Sequence, residues 1–201
     1  MNVTLIDYGA GNVTSVERAL QRLGAASLRS SSPECIAKAD ALLLPGVGHY
    51  AALIRALDER ALRAPLLDAI RRGIPFLGVC LGLQALYDAS EEAPELSGLH
   101  LFPGSVCSLP TSVKLPHMGW NQLKLTRPSR LLQGISADAY FYFAHSFAAT
   151  GADGETVALC HHGQNFAAVI EKENIFGVQF HPEKSGEAGA QLLQNFLRLC
   201  T

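Results

Sequence analysis

Short apolar runs alternate with helix-like patterns in the first half of the chain. Buried strands are predicted at four such runs, 3–7, 26–29, 41–44 and 75–79. Pro45 and Gly46 are expected to cut the third of these strands. Apolar positions at helical spacing predict a helix that Asn12 caps and Gly24 ends, and the segment SPE at 32–34 predicts the start of a short helix.

A longer helical pattern covers residues 50–72, where Pro65 either breaks the helix or starts a second one. Gly73 ends that pattern, and a further helix is predicted at 81–87, directly after the fourth strand. Because strands alternate with helices, we expect a central, mostly parallel sheet with helices on both faces.

The pattern changes in the second half, after a polar loop at 88–97. Short strands are predicted there at 99–106, 122–125, 139–143, 156–161, 166–171 and 175–180. An amphipathic helix at 187–199 closes the chain. With no linker and no internal repeat in view, we expect one α/β domain, 1–201, that carries additional short antiparallel strands in its second half.

Composition narrows the class of protein. The 201 residues are 48% hydrophobic and 17% charged, as in a globular chain, and a formal net charge of −2 provides no basic field for nucleic acid. The apolar stretch at 74–87 is too short to span a membrane, and the segment at 1–12 does not resemble a secretory signal. Five widely spaced cysteines without a CxxC pair argue against disulfides and a zinc ribbon. We therefore expect a cytoplasmic protein without a metal site.

One cysteine lies in a context that favours catalysis. In the segment GVCLG at 78–82, Cys80 stands where a predicted strand meets a predicted helix, which is the pattern of a nucleophile elbow with Cys in place of Ser. Small flanking residues allow the tight turn, and the start of the following helix favours a thiolate. The plain alternative is a buried cysteine between two packing glycines.

A base for this nucleophile is offered by the segment HPE at 181–183, directly after the last predicted strand. His181 and Glu183 face the same way in an extended chain, so the carboxylate can orient the imidazole while the other ring nitrogen faces sulfur. The same His-x-Glu pattern occurs in zinc deaminases, but the downstream PCxxC that those enzymes need is missing here.

Donors for an oxyanion are predicted from the segment PGVG at 45–48, which follows the third strand at the same edge of the sheet. The backbone amides of Val47 and Leu81 would converge on the substrate oxygen. Glycines on both sides of Val47 allow its peptide to adopt two orientations, so we hypothesise that a partner switches the site on by completing the oxyanion hole. The alternative for this segment is a plain turn.

Together, the segments GVCLGLQ, PGVG and HPE resemble the class I glutamine amidotransferases, which have a flavodoxin-like α/β fold. The resemblance spans nearly the whole chain and implies that Cys80 attacks the carboxamide of glutamine. His181 would shuttle the proton, Glu183 would orient His181, and water would release glutamate from a thioester. Ammonia is the product that is used, and no cofactor is implied.

Four further segments narrow this resemblance to the glutaminase subunit of imidazole glycerol phosphate synthase: DYGAGN at 7–12, PHMGWN at 116–121, YFAHSF at 142–147 and HPEKS at 181–185. In that family the glutaminase docks on a (β/α)8-barrel cyclase, which uses the ammonia in histidine synthesis. The resemblance implies glutamine-binding positions at Gly48, Gln84, Ser146 and Phe147. It implies cyclase contacts near Asn12, Trp120, Tyr142 and Lys184.

Phe147 departs from the family pattern, which has Tyr there, and this matters little if only its backbone meets glutamine. The partner positions also have structural alternatives, in which Asn12 caps its helix, Trp120 packs in the core and Lys184 is a solvated charge.

Three alternative functions remain open at this point. A dinucleotide-binding oxidoreductase is suggested by GAG at 9–11, but Thr14 stands where the fingerprint needs Gly or Ala. A binding module that has lost its chemistry is disfavoured by the intact Cys80, His181 and Glu183. Among enzymes, the alternative is the glutaminase subunit of pyridoxal phosphate synthase.

Overall fold

The computed structural model describes residues 2–9, 12–150 and 154–200. Their strands are β1 (Val3–Ile6), β2 (Ser27–Ser30), β3 (Ala41–Gly46), β4 (Phe76–Cys80), β5 (Tyr87–Ser90), β6 (Phe102–Ser108), β7 (His117–Gln122), β8 (Lys124–Leu125), β9 (Tyr140–His145), β10 (Phe147–Ala149), β11 (Thr156–His162), β12 (Gln164–Lys172) and β13 (Ile175–Val178). Their α-helices are α1 (Val13–Arg22), α2 (Pro33–Ala37), α3 (Tyr50–Glu59), α4 (Arg63–Arg71), α5 (Leu81–Gln84) and α6 (Gly186–Leu199).

An eight-stranded sheet in the order β2-β1-β3-β4-β13-β12-β11-β8 forms the centre of the molecule. Its first five strands are parallel, and β12, β11 and β8 continue the sheet in antiparallel pairs. Two smaller sheets, β10-β6-β5 and the antiparallel pair β7-β9, accompany it. The predicted fold class, a mostly parallel sheet with additional antiparallel strands in the second half, is confirmed.

Hydrophobic cores cover both faces of the central sheet. Successive residues of β3 alternate between the two cores, with Leu43 in the core that holds α1 and α6 and Leu42 in the core that holds α3 and α4. Because both faces are covered, the parallel strands are apolar at nearly every position, which is why the sequence pattern revealed them. Among the described residues, no helix combines the length and the apolar character that crossing a bilayer requires.

Pro45 and Gly46 do not cut the third strand, so that prediction is wrong. Both residues continue β3 and pair with Val79 and Cys80 of β4. The opposite neighbour, β1, pairs with β3 only as far as Leu43. Pro45 therefore has no paired strand on the side of β1. Because no β1 carbonyl faces it there, the N–H that proline lacks is not needed for a hydrogen bond.

The helical pattern at 50–72 resolves into two helices. α3 ends at Glu59, and Ala61, with a φ of 54°, interrupts the helical conformation before α4 begins. Pro65 lies in the first turn of α4, where a backbone N–H has no partner within the helix.

Several elements of the second half differ from the predictions. The helix predicted at 81–87 ends at Gln84, and β5 occupies part of the predicted polar loop. The strand predicted at 122–125 is divided between the last residue of β7 and β8, and β10 is a strand that the sequence pattern does not predict. In β7 the exposed side chains include the apolar Met118 and Trp120, so its pattern does not show the polar outer face of a surface strand.

Candidate active site

Cys80 lies at the junction of β4 and α5 in a strained backbone conformation. Its φ of 54° and ψ of −107° are unusual for a residue with a side chain. A Cβ at Gly78 would lie 2.6 Å from the carbonyl oxygen of Gly82, and a Cβ at Gly82 would collide with the carbonyl oxygen of Leu44. Both flanking glycines are therefore required by the close approach of α5 to β3 and β4, and the turn presents the sulfur at the end of the sheet.

His181 and Glu183 lie in the turn that follows β13. The Nδ1 atom of His181 is 2.9 Å from Oε1 of Glu183, and the two side chains are only 3% and 1% exposed. The imidazole also forms a hydrogen bond with Cys80. Because Nδ1 faces the carboxylate, Nε2 is the ring nitrogen left for the sulfur. The structure thus brings the three predicted catalytic residues together in the order thiol, imidazole, carboxylate.

The turn that carries His181 is attached to β9 by two hydrogen bonds, and a third lies within the turn. The backbone N–H of His181 donates to the carbonyl of Tyr142 at 2.8 Å. The Ser185 hydroxyl accepts from the N–H of Tyr142 at 3.0 Å and donates to the carbonyl of His181 at 2.6 Å. β9 therefore sets the position of the base.

Opposing effects act on the pKa of His181. Burial lowers the pKa, but the hydrogen bonds to Cys80 and Glu183 and the negative charges of both groups outweigh burial and raise the pKa to about 10. At neutral pH the imidazole is therefore protonated, so it lies beside the Cys80 sulfur as a cation that can donate a proton.

A cavity of about 170 Å³ opens in front of the sulfur. Its lining includes all four expected glutamine-binding residues and both expected oxyanion residues, namely Gly48, Gln84, Ser146, Phe147, Val47 and Leu81. Glu92 and Lys184 also line the cavity, so a carboxylate and an ammonium group border the same space.

The oxyanion segment is tied to Tyr8. The Tyr8 hydroxyl donates to the carbonyl oxygen of Val47 at 3.5 Å, and the positive φ of Gly48, 102°, places that residue in a region that glycine tolerates. Leu81 is the first residue of α5, where the backbone N–H has no partner within the helix. The amide of Leu81 is therefore available to a substrate oxygen.

Three of the four expected partner positions lie together. Trp120 is 55% exposed, and its ring meets that of Tyr142 edge-on at a centroid distance of 5.9 Å. The Lys184 ammonium lies 5.6 Å from the centre of the Tyr142 ring. The alternative that Trp120 packs in the core is therefore wrong.

The fourth expected partner position, Asn12, contacts the carboxylate of the triad. It occupies the N-cap position of α1, but its side chain forms no capping hydrogen bond. Instead, its Nδ2 atom donates to Oε1 of Glu183 at 3.2 Å. The prediction that Asn12 caps its helix is wrong for the side chain, which fastens the carboxylate of the triad.

Sequence reasoning missed two residues of the site. Glu92 fell in the predicted polar loop, and its Oε2 atom accepts from the N–H of Tyr50 at the start of α3 at 2.7 Å. Gln179 is fully buried, and its Nε2 atom lies 3.6 Å from the sulfur of Cys80. Gln179 lies two residues before His181 in the segment that follows β13. This i, i+2 spacing, which places both side chains on one face of an extended chain, is the sequence signal that identifies Gln179 as a neighbour of the site.

Fold and site together define the class of this protein as a cysteine-dependent amidotransferase. The family model described as "Glutamine amidotransferase class-I" matches residues 4–200, so the chain belongs to that family. Within that class it belongs with the proteins named imidazole glycerol phosphate synthase subunit HisH. The protein of that name from Methanothermobacter thermautotrophicus is 47% identical over 98% of each chain. The one from Salinibacter ruber is 44% identical over 98% of this chain and 94% of its own.

Solved structures support the same fold. A structure described as a glutamine amidotransferase has a TM-score of 0.79 at 19% identity and covers 98% of each chain. PurLQS from Thermotoga maritima has a TM-score of 0.78 at 20% identity, with 100% of this chain and 99% of that chain covered. The family assignment excludes the dinucleotide-binding oxidoreductase, and Ala10 and Gly11 of that pattern lie outside the described residues. The two named relatives favour the glutaminase subunit of imidazole glycerol phosphate synthase over that of pyridoxal phosphate synthase.

Replacing Glu183 by glutamine is expected to lower the rate of glutamine hydrolysis less than replacing His181 by alanine. A positioned acid–base group contributes about 10²–10⁴-fold to a rate, whereas a carboxylate behind an imidazole orients it and stabilises its cation. The carboxylate helps to raise the pKa of His181. Its removal should therefore lower that pKa from about 10 and move the alkaline limb of the pH–rate profile to lower pH.

The measurement is the pH profile of glutamate release for the two variants, with Glu187→Gln as a control because Glu187 is an exposed carboxylate at the start of α6. Full activity and an unshifted profile in Glu183→Gln would show that the carboxylate does not orient the base.

Proposed function

We propose that this chain is the glutaminase subunit of an imidazole glycerol phosphate synthase and acts as one amidotransferase domain. The observation that carries the proposal is the buried chain of Cys80, His181 and Glu183 at the base of a cavity bordered by charged groups of both signs. Two hydrophobic cores that share one central sheet support a single domain. The relatives at 44–47% identity share nearly the full length of the chain.

The reaction begins with attack of the Cys80 thiolate on the carboxamide carbon of glutamine. The amides of Val47 and Leu81 hold the oxyanion of the tetrahedral intermediate. Collapse of this intermediate breaks the C–N bond, and the His181 imidazolium donates its proton to the departing nitrogen, which leaves as ammonia. Water, deprotonated by the neutral imidazole, then attacks the thioester and releases glutamate, which restores the thiolate.

Charge complementarity supports glutamine as the substrate. Glutamine carries an α-ammonium and an α-carboxylate at the end opposite its carboxamide, and Glu92 and Lys184 border the cavity with the opposite charges. Glu92 pairs with the ammonium group and Lys184 with the carboxylate. The Oε1 atom of Gln84 faces no donor among the described residues, because both hydrogen bonds of its side chain are donated by Nε2.

We assign the partner to the (β/α)8-barrel cyclase of the same synthase and its docking surface to the exposed side chains of β7 and β9. Met118, Trp120 and Tyr140 are 65%, 55% and 53% exposed, and large apolar groups gathered on one surface are typical of an interface. Lys184 connects this surface to the cavity, since it lies over Tyr142 and also lines the cavity. Ammonia released at the triad would therefore leave close to the cyclase.

The cyclase uses the ammonia to form imidazole glycerol phosphate and an aminoimidazole carboxamide ribotide. We place the protein in the reducing cytoplasm, because the reaction needs a free thiol at Cys80 and all five cysteines are unpaired.

The proposed function is tested by mixing the chain with a purified cyclase subunit, glutamine and the cyclase's ribonucleotide substrate. We expect a stable complex on gel filtration and equal amounts of glutamate and imidazole glycerol phosphate. A parallel mixture with the synthase barrel of pyridoxal phosphate synthase should give neither a complex nor coupled turnover. Coupled turnover with that barrel instead of the cyclase would overturn the assignment.

Replacing Trp120 by alanine is expected to weaken the complex with the cyclase by about 10- to 100-fold in Kd, as for a central aromatic residue of an interface. Leu28→Ala is the matched control, because Leu28 is also a large exposed apolar residue, 47% exposed, but lies on β2, an edge strand of the central sheet, and not on the β7-β9 pair. Titration calorimetry compares the two variants with the wild type. Equal losses in both, or no loss in Trp120→Ala, would move the docking surface elsewhere.

A further inference from the structure

One fully buried side chain next to the nucleophile has no part in the reaction sequence. Gln179 follows β13, is inaccessible to solvent, and its Nε2 atom donates to the sulfur of Cys80 at 3.6 Å. Its Oε1 atom accepts from Nε2 of Gln84 at 3.1 Å. Nε2 of Gln84 also donates to the backbone carbonyl of Phe147 at 2.7 Å. A chain of hydrogen bonds therefore runs from a backbone carbonyl to the thiol.

The carbonyl at one end of this chain determines the orientation of both amides. A carbonyl oxygen can only accept, so Gln84 must present its NH₂ group to Phe147 and, with the same group, to Gln179. Gln179 must then present its oxygen to Gln84, which leaves its own NH₂ group for Cys80. Rotation of either amide by 180° would place two oxygens or two NH₂ groups against each other in a buried site.

Two neutral histidines hold the Phe147 carbonyl at which this series of hydrogen bonds ends. His145 is 2.9 Å from the same Phe147 carbonyl through Nδ1, so this nitrogen carries the proton and donates. Its Nε2 atom then accepts from Nδ1 of His117 at 3.1 Å. Burial lowers the pKa of His145 to about 3 and that of His117 to about 4, so both rings are uncharged at neutral pH. The Phe147 carbonyl is therefore held from two sides.

We propose that Gln179 is a positioning residue that fixes the Cys80 sulfur and stabilises its thiolate through a donated amide hydrogen bond. This role rests on the proposed glutaminase function, which it extends. An amide NH₂ group can only donate, and a donor bonds more strongly to a thiolate than to a neutral thiol. The same series of hydrogen bonds ends at Gln84 and Phe147, which line the cavity. The nucleophile and the substrate-binding wall therefore belong to one rigid hydrogen-bonded unit.

Two variants of Gln179 test the proposal. Gln179→Met removes the donor at similar volume, whereas Gln179→Glu keeps the acceptor for Gln84 and replaces only the group that faces sulfur. Asn195→Leu is the matched control, because Asn195 is a buried amide whose NH₂ group donates to the carbonyls of Leu131 and Gln133 away from the cavity. All three changes remove a buried amide, so a loss of stability alone would affect them alike.

The first readout is alkylation of Cys80 by iodoacetamide as a function of pH, followed by mass spectrometry of the peptide that carries Cys80. In Gln179→Met the midpoint of this curve should rise by about one pH unit, and in Gln179→Glu by more, because a carboxylate then faces the thiolate. The other ionisable groups around the sulfur stay in place in every variant, namely His181, Glu183, Tyr8, Glu92, Lys184 and His145.

The second readout is steady-state glutamine hydrolysis. We expect kcat to fall about 10- to 100-fold in Gln179→Met with a smaller change in KM, since a hydrogen bond to a charged atom is lost at the nucleophile. Asn195→Leu should lower the thermal midpoint without moving the alkylation curve.

An alkylation midpoint that stays at the wild-type pH in both Gln179 variants would overturn the proposal and leave Gln179 as a packing residue. Alkylation needs no glutamine, so the two hypotheses fail separately. If the wild-type chain in complex with the cyclase released no glutamate while the Gln179 variants still shifted the alkylation curve, only the glutaminase function would be contradicted.

Discussion

Replacing Cys80 by alanine is expected to abolish glutamine hydrolysis, with a loss on the order of 10⁴-fold or more, because no other group can form the thioester. The complex with the cyclase should still form and should still make imidazole glycerol phosphate from ammonium salts. Glutamate release is followed with glutamine as the nitrogen source, and product formation with ammonium chloride. A variant that releases no glutamate and also fails to bind the cyclase would indicate a folding defect and not a lost nucleophile, and gel filtration with circular dichroism separates these outcomes.

Cys107→Ala is the control for this substitution, since Cys107 is also a free cysteine but is only partly buried and lies on β6 outside the cavity. A diazo-ketone analogue of norleucine, which mimics glutamine and carries an electrophile, should label Cys80 alone. Burial raises the pKa of Cys160 to about 12 and that of Cys200 to about 12, so these thiols stay protonated and unreactive. Equal labelling of Cys107 or Cys160 would contradict the assignment of Cys80 as nucleophile.

The central sheet was predictable because its strands are buried on both faces. β1, β3 and β4 are fully buried along their length and read as continuous apolar runs. β7 and β5 lack that signal. β7 turns Met118 and Trp120 outward and buries His117, which reverses the usual distribution of apolar and polar residues. We attribute this reversal to the proposed partner, since a surface that binds another protein need not be polar.

The candidate site also contains residues that the sequence predicts and residues that it does not predict. Cys80, His181 and Glu183 follow from spacing, because an elbow and an i, i+2 pair are local patterns. The environment of Gln179 depends on two segments that are distant in sequence, since the side chain touches both Cys80 and Gln84. The contact of Asn12 with Glu183 spans 171 positions along the chain and could not be derived from either local pattern.

The partner is expected to switch this glutaminase on. Ammonia released without an acceptor wastes glutamine, so the free chain is expected to be a poor glutaminase. The oxyanion hole is the element that can account for this, since a single missing donor lowers a rate by about 10²–10³-fold. In the structure the Tyr8 hydroxyl holds the carbonyl of Val47, and Gly48 adopts a positive φ.

Docking of the cyclase near Asn12, Trp120 and Lys184 can bias the orientation of this loop only by binding one orientation more tightly than the other. Asn12 and Lys184 provide short routes to the site, because Asn12 contacts Glu183 and Lys184 lines the cavity. Glutamate release should therefore rise by about 10²–10³-fold from the free chain to the complex with the cyclase and its ribonucleotide substrate.

Tyr8→Phe tests this account because it removes the hydroxyl that holds the Val47 carbonyl and keeps the ring. If that hydrogen bond maintains the resting orientation, the variant should raise the rate of the free chain and reduce the ratio of activated to resting rates. Tyr87→Phe is the matched control, since the Tyr87 hydroxyl is buried away from the cavity. Rates are measured for the free chain, with the cyclase, and with the cyclase and its substrate. A free wild-type chain that already runs at the assembled rate, or a Tyr8→Phe variant with an unchanged activation ratio, would rule out an oxyanion loop held at rest by Tyr8.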